Sequence, residues 1–217
     1  MRNRKVKIPQ YLVRGKRRDF HVLVFPRLKH TWAYYDSDSE HYAIDADIVG
    51  CKWLRFAMAS LIAAPGKIVY FPIRTKTSFH GYYFPNYDAV LTRPELQLRR
   101  SEWIRLRRQL TPAHQINQFV LRYEPDKLCD YVEKFDVEQQ RSYRRKHSSC
   151  QEIYTLLGDT VFMPLMKDSC YLFHQDILDT AWQNDENYGS SINWDFGWFL
   201  PDGAIHDMAA HETKPQP

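Results

Sequence analysis

Residues 50–73 read GCKWLRFAMASLIAAPGKIVYFPI, and two structural periods meet inside them. Trp53, Leu54, Ala57, Met58, Leu61 and Ile62 recur at helical spacing, Pro65-Gly66 breaks the pattern, and Lys67 to Ile73 follows as an apolar, β-branched and aromatic run. A core helix over Gly50 to Ala64 leading directly into a strand already excludes an all-helical chain. Working outward, Phe20-His21-Val22-Leu23-Val24-Phe25, closed by Pro26, predicts a mostly buried strand, and Phe79 to Phe84 predicts the hairpin partner of the 67–73 strand. Pro94 introduces a helix over Glu95 to Leu110 with Leu96, Trp103, Leu106 and Leu110 on one face. Phe119 to Tyr123 predicts another strand. Asp126 can cap a helix that buries Leu128, Tyr131, Val132 and Phe135 and continues to about His147. Cys150 to Leu157 and Gln175 to Asn184 predict short helices, and Trp194 to Leu200 predicts a core strand and hairpin closed by Pro201-Asp202-Gly203. The mixed order implies an α+β fold, a small mixed or antiparallel sheet with several packed helices. Its expected parts are a basic arm over residues 1–18, an α+β core over 19–125, a mainly helical acidic part over 126–203 packed on that core, and a flexible tail over 204–217.

The chain has 217 residues, 44% of them hydrophobic and 15% aromatic, enough apolar material for a sizeable core, so disorder over most of its length is excluded. No window holds 18 consecutive apolar residues, and residues 1–18 carry eight basic residues without an apolar run, so neither a membrane partner nor a secretory leader is expected. Cys51, Cys129, Cys150 and Cys170 form no CxxC pair, which fits a reducing cytoplasm better than a disulfide scaffold or zinc knuckle.

Charge separates along the chain. Residues 1–150 hold 28 Lys and Arg against 15 Asp and Glu, whereas residues 151–217 hold 2 against 11. Like charges at the density of Arg2, Arg4, Lys5, Lys7, Arg14, Lys16, Arg17 and Arg18 attract polyanions. Arg100, Arg105 and Arg108 fall off the apolar stripe of the 95–110 helix, so a helix docked by Trp103 presents guanidinium groups to solvent or to a phosphate backbone. Arg144 and Arg145 add to the basic end of the next helix. The leading expectation is a nucleic-acid-binding accessory protein that contacts phosphates through the arm and the Arg-rich helix. A second is a protein-interaction module of the inhibitor or immunity type, whose acidic, aromatic carboxyl third docks a basic partner through Trp194, Asp195 and Trp198.

No P-loop, GxGxxG or GxSxG is present, and no cofactor is expected. Arg141 and His147 match the Arg-x(4 to 6)-His spacing of HEPN ribonucleases, which they resemble in that respect. That resemblance implies metal-independent RNA cleavage, with His147 as acid or base and Arg141 stabilising the phosphate. The spacing recurs at Arg14 to His21, Arg74 to His80, and Arg107 and Arg108 to His114, but only Arg141 to His147 lies in a predicted helix without an intervening proline. Asp19-Phe20-His21, with Tyr83 and Tyr87 downstream, resembles the apolar strand of HUH nicking enzymes, but Asp19 stands where their first metal-binding histidine would be. Asp36, Asp38, Glu40, Asp45 and Asp47 read as an acidic surface loop, lacking the Gly and Glu of an EF-hand. His174, Asp176, His206, Asp207 and His211 are of metal-ligand type at spacings that define no closed site, so no metal is assigned.

Overall fold

The computed structural model describes residues 4–28, 31–36, 41–46, 48–72, 87–96, 98, 100–134, 155–157, 160–183 and 192–195. Strand β1 (Arg4–Arg14) pairs antiparallel with β2 (Asp19–Val24), and a hairpin of β3 (Thr31–Asp36) and β4 (His41–Ala46) leads into helix α1 (Ile48–Ala63) and β5 (Lys67–Phe71). Then come β6 (Asp88–Thr92), a 3-10 turn at Pro94–Leu96, α2 (Arg100–Arg107), a second such turn at Pro112–His114, β7 (Gln115–Tyr123) and α3 (Pro125–Val132). The chain continues with β8 (Thr155–Leu157), β9 (Thr160–Pro164), α4 (Lys167–Gln183) and β10 (Ile192–Asp195).

Seven strands form one sheet in the order β7-β1-β2-β5-β6-β9-β8, and β10-β4-β3 form a second. The large sheet is mixed: β2/β5 and β6/β9 are parallel and its other pairs antiparallel. The β2/β5 pair is parallel because α1 carries the chain back across the sheet, as parallel neighbours require. Architecture of the α+β class follows. Among the described residues no helix is long and apolar enough to cross a membrane.

Alternation along each strand gives the sheet two buried faces. Ile8, Leu23, Val69, Phe71, Leu91, Leu121 and Met163 point to α1 and α4, where Leu54, Met58, Leu61, Phe173 and Ile177 meet them. Val13, Phe20, Val22, Ile68, Tyr70, Val90 and Phe162 point the other way, to Trp103 and Leu106 of α2.

Several expectations are corrected here. Residues 1–18 are not an arm: Arg4–Arg14 is a strand with partners on both sides, because Val6, Ile8, Tyr11 and Val13 among the cations supply apolar contacts to both faces. The 95–110 helix divides into the Pro94–Leu96 turn and the shorter α2. Asp126 does not cap α3; Glu124 holds that position, with Pro125 at the first turn where its missing N–H costs nothing, and α3 ends at Val132 rather than near His147. Thr155–Leu157 is strand, not helix, and the 175–184 helix begins at Lys167. Asp36 and Asp45 belong to the β3/β4 hairpin rather than a loop. The antiparallel partner of β5 is β6, while Phe79 to Phe84 and residues 204–217 lie outside the described residues.

His174 is fully buried, its Nε2 2.7 Å from the Tyr123 hydroxyl, and its Nδ1 meets no partner among the described residues. Burial, then the Arg55 charge, push its pKa down from 6.5 to about 3, and burial pushes the Tyr123 hydroxyl up to about 12. The imidazole is therefore neutral when folded and takes up a proton on unfolding. Stability is fully present above pH 6.5 and falls as the pH drops toward 3, with a slope from this group approaching ~1.4 kcal/mol per pH unit. In urea titrations at stepped pH, His174→Gln is expected to flatten that slope.

Candidate functional site

The exposed cations gather where the β1/β2 hairpin meets α2. The hairpin closes with Gly15 N–H donating to the Arg18 carbonyl at 3.0 Å. Gly15 is needed for close approach: a Cβ there would stand 2.5 Å from the Arg18 carbonyl oxygen, 2.6 Å from Glu102 Oε1 and 2.7 Å from the Phe20 ring. Just beyond α2, Gln109 clamps the strand end with both halves of its amide. Its Oε1 accepts the Arg14 backbone N–H at 2.8 Å and its Nε2 donates to the Arg14 carbonyl at 2.9 Å.

Glu102 beside Gly15, and Gln109 bonded to the Arg14 backbone, thus set one flank of α2 against the hairpin, and Arg105 lies one turn from each. Arg105 and Arg108 are exposed, as are Arg14, Lys16, Arg17 and Arg18. The Arg18 guanidinium lies 4.9 Å from the centroid of the Phe20 ring, on the α2 face of the sheet. Among the described residues Lys16, Arg17, Arg105 and Arg108 are in no ion pair. Arg100 opens α2, while Arg107 turns inward and donates to Thr160 Oγ1 at 3.0 Å.

A second group of cations continues this surface along the sheet. Ile8 of β1 and Leu121 of β7 face α1 and α4, so by alternation Lys5, Lys7, Val120 and Arg122 face the α2 side. Lys5 stands directly across from Arg122, and Lys7 across from Val120. All four are exposed, and Ile116 and Val120 are each 48% exposed. Like charges facing one another across two strands are destabilising, so the fold gains nothing from this pairing. From Lys5 to Arg14 the strand extends about 30 Å at ~3.3 Å per residue.

The structure therefore brings Lys16, Arg17 and Arg18 beside Arg105 and Arg108, whereas Arg14, next to Val13 on the α2 face and paired with Asp19, turns its side chain to the opposite face and meets the α2 end only through its backbone. Sequence reading missed Arg122, whose only signal was the Ile116, Gln118, Val120, Arg122 alternation. Arg141, Arg144, Arg145, His147 and Trp198 lie outside the described residues. Trp194 and Asp195 lie in β10, across from Ile44 and Ala43 of β4. Among the described residues no three His, Cys, Asp or Glu side chains gather as metal ligands; His21 meets Gln10, and His174 meets Tyr123. Comparison with known proteins finds no match: no family model fits the chain, and no curated protein or solved structure is significantly similar.

Gly15→Ala is expected to lower stability by about 1–3 kcal/mol, since backbone and ring must move to admit the methyl group. Gly66→Ala, where a Cβ meets nothing within 4 Å, is expected to be neutral or slightly stabilising, by up to ~1 kcal/mol. Denaturant midpoints of the two variants check both.

Proposed function

We propose that the chain binds nucleic acid through its phosphate backbone, along the α2 side of the sheet. The observation that carries this reading is the convergence of exposed cations from the β1/β2 hairpin, α2, and the β1/β7 pair onto one side of the molecule. Lysine and arginine donors spaced along ~30 Å match a polymer with one phosphate per ~3.4 Å of each duplex strand, a track of about nine base pairs. The Lys5 and Arg122 side chains, which repel each other in the free protein, both gain from a shared anionic neighbour. Contacts of this kind position a duplex or single strand without reading its bases. Each phosphate neutralised releases counterions, so affinity falls with salt at a log-log slope near −0.9 per contact on duplex DNA.

Binding to labelled DNA and RNA, single- and double-stranded, is measured between about 50 and 200 mM salt, where six or more phosphate contacts cost ~10³-fold or more in affinity. Joint reversal of Lys16, Arg17, Arg105 and Arg108 to glutamate is expected to weaken binding and shallow the salt slope. Lys134→Glu at the end of α3 is expected to leave both unchanged. A flat salt response, or equal losses in the two variants, overturns the reading.

A further inference from the structure

Gln10 is buried in β1, only 5% exposed, with both ends of its amide engaged. Lys67 Nζ donates to Gln10 Oε1 at 2.9 Å, and Gln10 Nε2 lies 3.0 Å from His21 Nδ1. An ammonium only donates, so it fixes the amide oxygen toward Lys67 and the amide NH2 toward His21. Nδ1 of His21 must then accept, and the ring proton resides on Nε2.

These groups occupy the sheet face opposite the basic surface, on four neighbouring strands. His21 of β2 is paired with Lys67 of β5, and Gln10 of β1 with the exposed Asn117 of β7. The Lys67 ammonium reaches across β2 and ends 5.5 Å from the centroid of the Phe119 ring. Asp19, the carboxylate on the same face of β2, stands directly across from Arg14. Neither His21 Nε2 nor the remaining Lys67 protons have another side-chain partner among the described residues. Partial burial holds the Lys67 ammonium below its usual range. His21 is lowered by burial first and then by the Lys67 charge, with Asp19 opposing.

We propose that His21, Lys67 and Asn117 form a separate site that takes a phosphate monoester. An ammonium, an imidazole N–H and an amide NH2 are all donors, and charge-assisted bonds to a phosphate dianion are the strongest they can form. The same set disfavours a metal cation, because the lysine is positive and the free imidazole nitrogen carries its proton. The dianion supplies the counter-charge that the protein withholds from Lys67. Phe119 and buried Gln10 hold the ammonium in place beforehand, so little side-chain freedom is lost on binding. The site lies on the other face from the polymer track and does not depend on it.

Nitrogen-15 NMR of the His21 ring in the full-length chain tests the assignment. Inorganic phosphate, adenosine 5′-monophosphate and O-phosphoserine are each titrated, with adenosine and serine as phosphate-free counterparts. A saturable shift of His21 Nε2 with the phosphate-bearing probes alone is expected, and the tightest of them identifies the source of the phosphate. Lys67→Met keeps a stem over Phe119 without the charge and is expected to weaken binding about tenfold or more. Gln10→Glu sets a carboxylate between Lys67 and His21 in place of the ligand and is expected to abolish the shift while raising the His21 pKa. Lys5→Glu with Lys7→Glu, on the opposite face, is expected to leave phosphate binding intact even where polymer binding is lost. Absence of a saturable His21 shift, or an identical shift in folded Lys67→Met, overturns the proposal.

Discussion

One indole sets where α2 lies. Trp103 is fully buried, its ring 5.3 Å from Tyr70 and 6.0 Å from Phe162, with Leu96, Leu106, Val22 and Val90 in the same cluster. An eight-residue helix bearing three arginines has no stability of its own in water, so docking through that ring is what makes the segment helical. Removing such a ring from a core typically costs ~3–5 kcal/mol, far more than any one surface contact of α2. Everything α2 carries is located by the same anchor: Glu102 against Gly15, Gln109 on the Arg14 backbone, and the exposed Arg105 and Arg108. The hairpin and the helix therefore form one basic surface because an apolar side chain holds them together from beneath.

That dependence explains which features were legible in the sequence. The 50–73 stretch spoke clearly because both its helix and its strand are apolar enough to show their periods, and the strand at Phe20 did so for the same reason. β1 did not. Its lysines and arginines dominate a count of charge, while the residues that decide its place, Val6, Ile8, Tyr11 and Val13, are split between two faces and produce no single stripe. A strand buried on both sides near its middle and solvated at its ends looks, residue by residue, like a solvated tail. Helix α4 begins more than two turns before the expected Gln175 because buried His174 interrupts the stripe that Cys170, Phe173 and Ile177 otherwise make.

Of the candidate site, the cations themselves were legible and their convergence was not, since it needs the antiparallel register. Lys5 and Arg122 are 117 positions apart in sequence and directly opposed in space. Gln109, the residue that ties the hairpin to the end of α2, has no sequence signal at all; a glutamine after a helix acquires its role only when a strand end lies beside it. The Gln10, His21 and Lys67 cluster was hidden for a related reason. His21 sits in a strand that reads as uniformly buried, and nothing in β1 or β5 marks their polar residues as neighbours.

The two faces of the sheet solve different electrostatic problems. On the α2 side, cations point outward along ~30 Å of strand and helix, and water screens each one separately, so in the proposed function many weak sites would act in series on an extended anion. On the other side, Lys67 holds the one amide oxygen that a doubly protonated His21 would need. If His21 took a second proton, its Nδ1–H would confront the Gln10 NH2, and the amide could accommodate it only by turning its oxygen away from Lys67. With the oxygen end of the amide on Lys67 and the NH2 end on His21, the oxygen does not meet both groups, so the cluster resists a double positive charge until an anion arrives to share it. An arrangement that disfavours its own full ionisation suits the single compact dianion proposed for it, whereas the spread of cations on the opposite face suits the proposed chain of them.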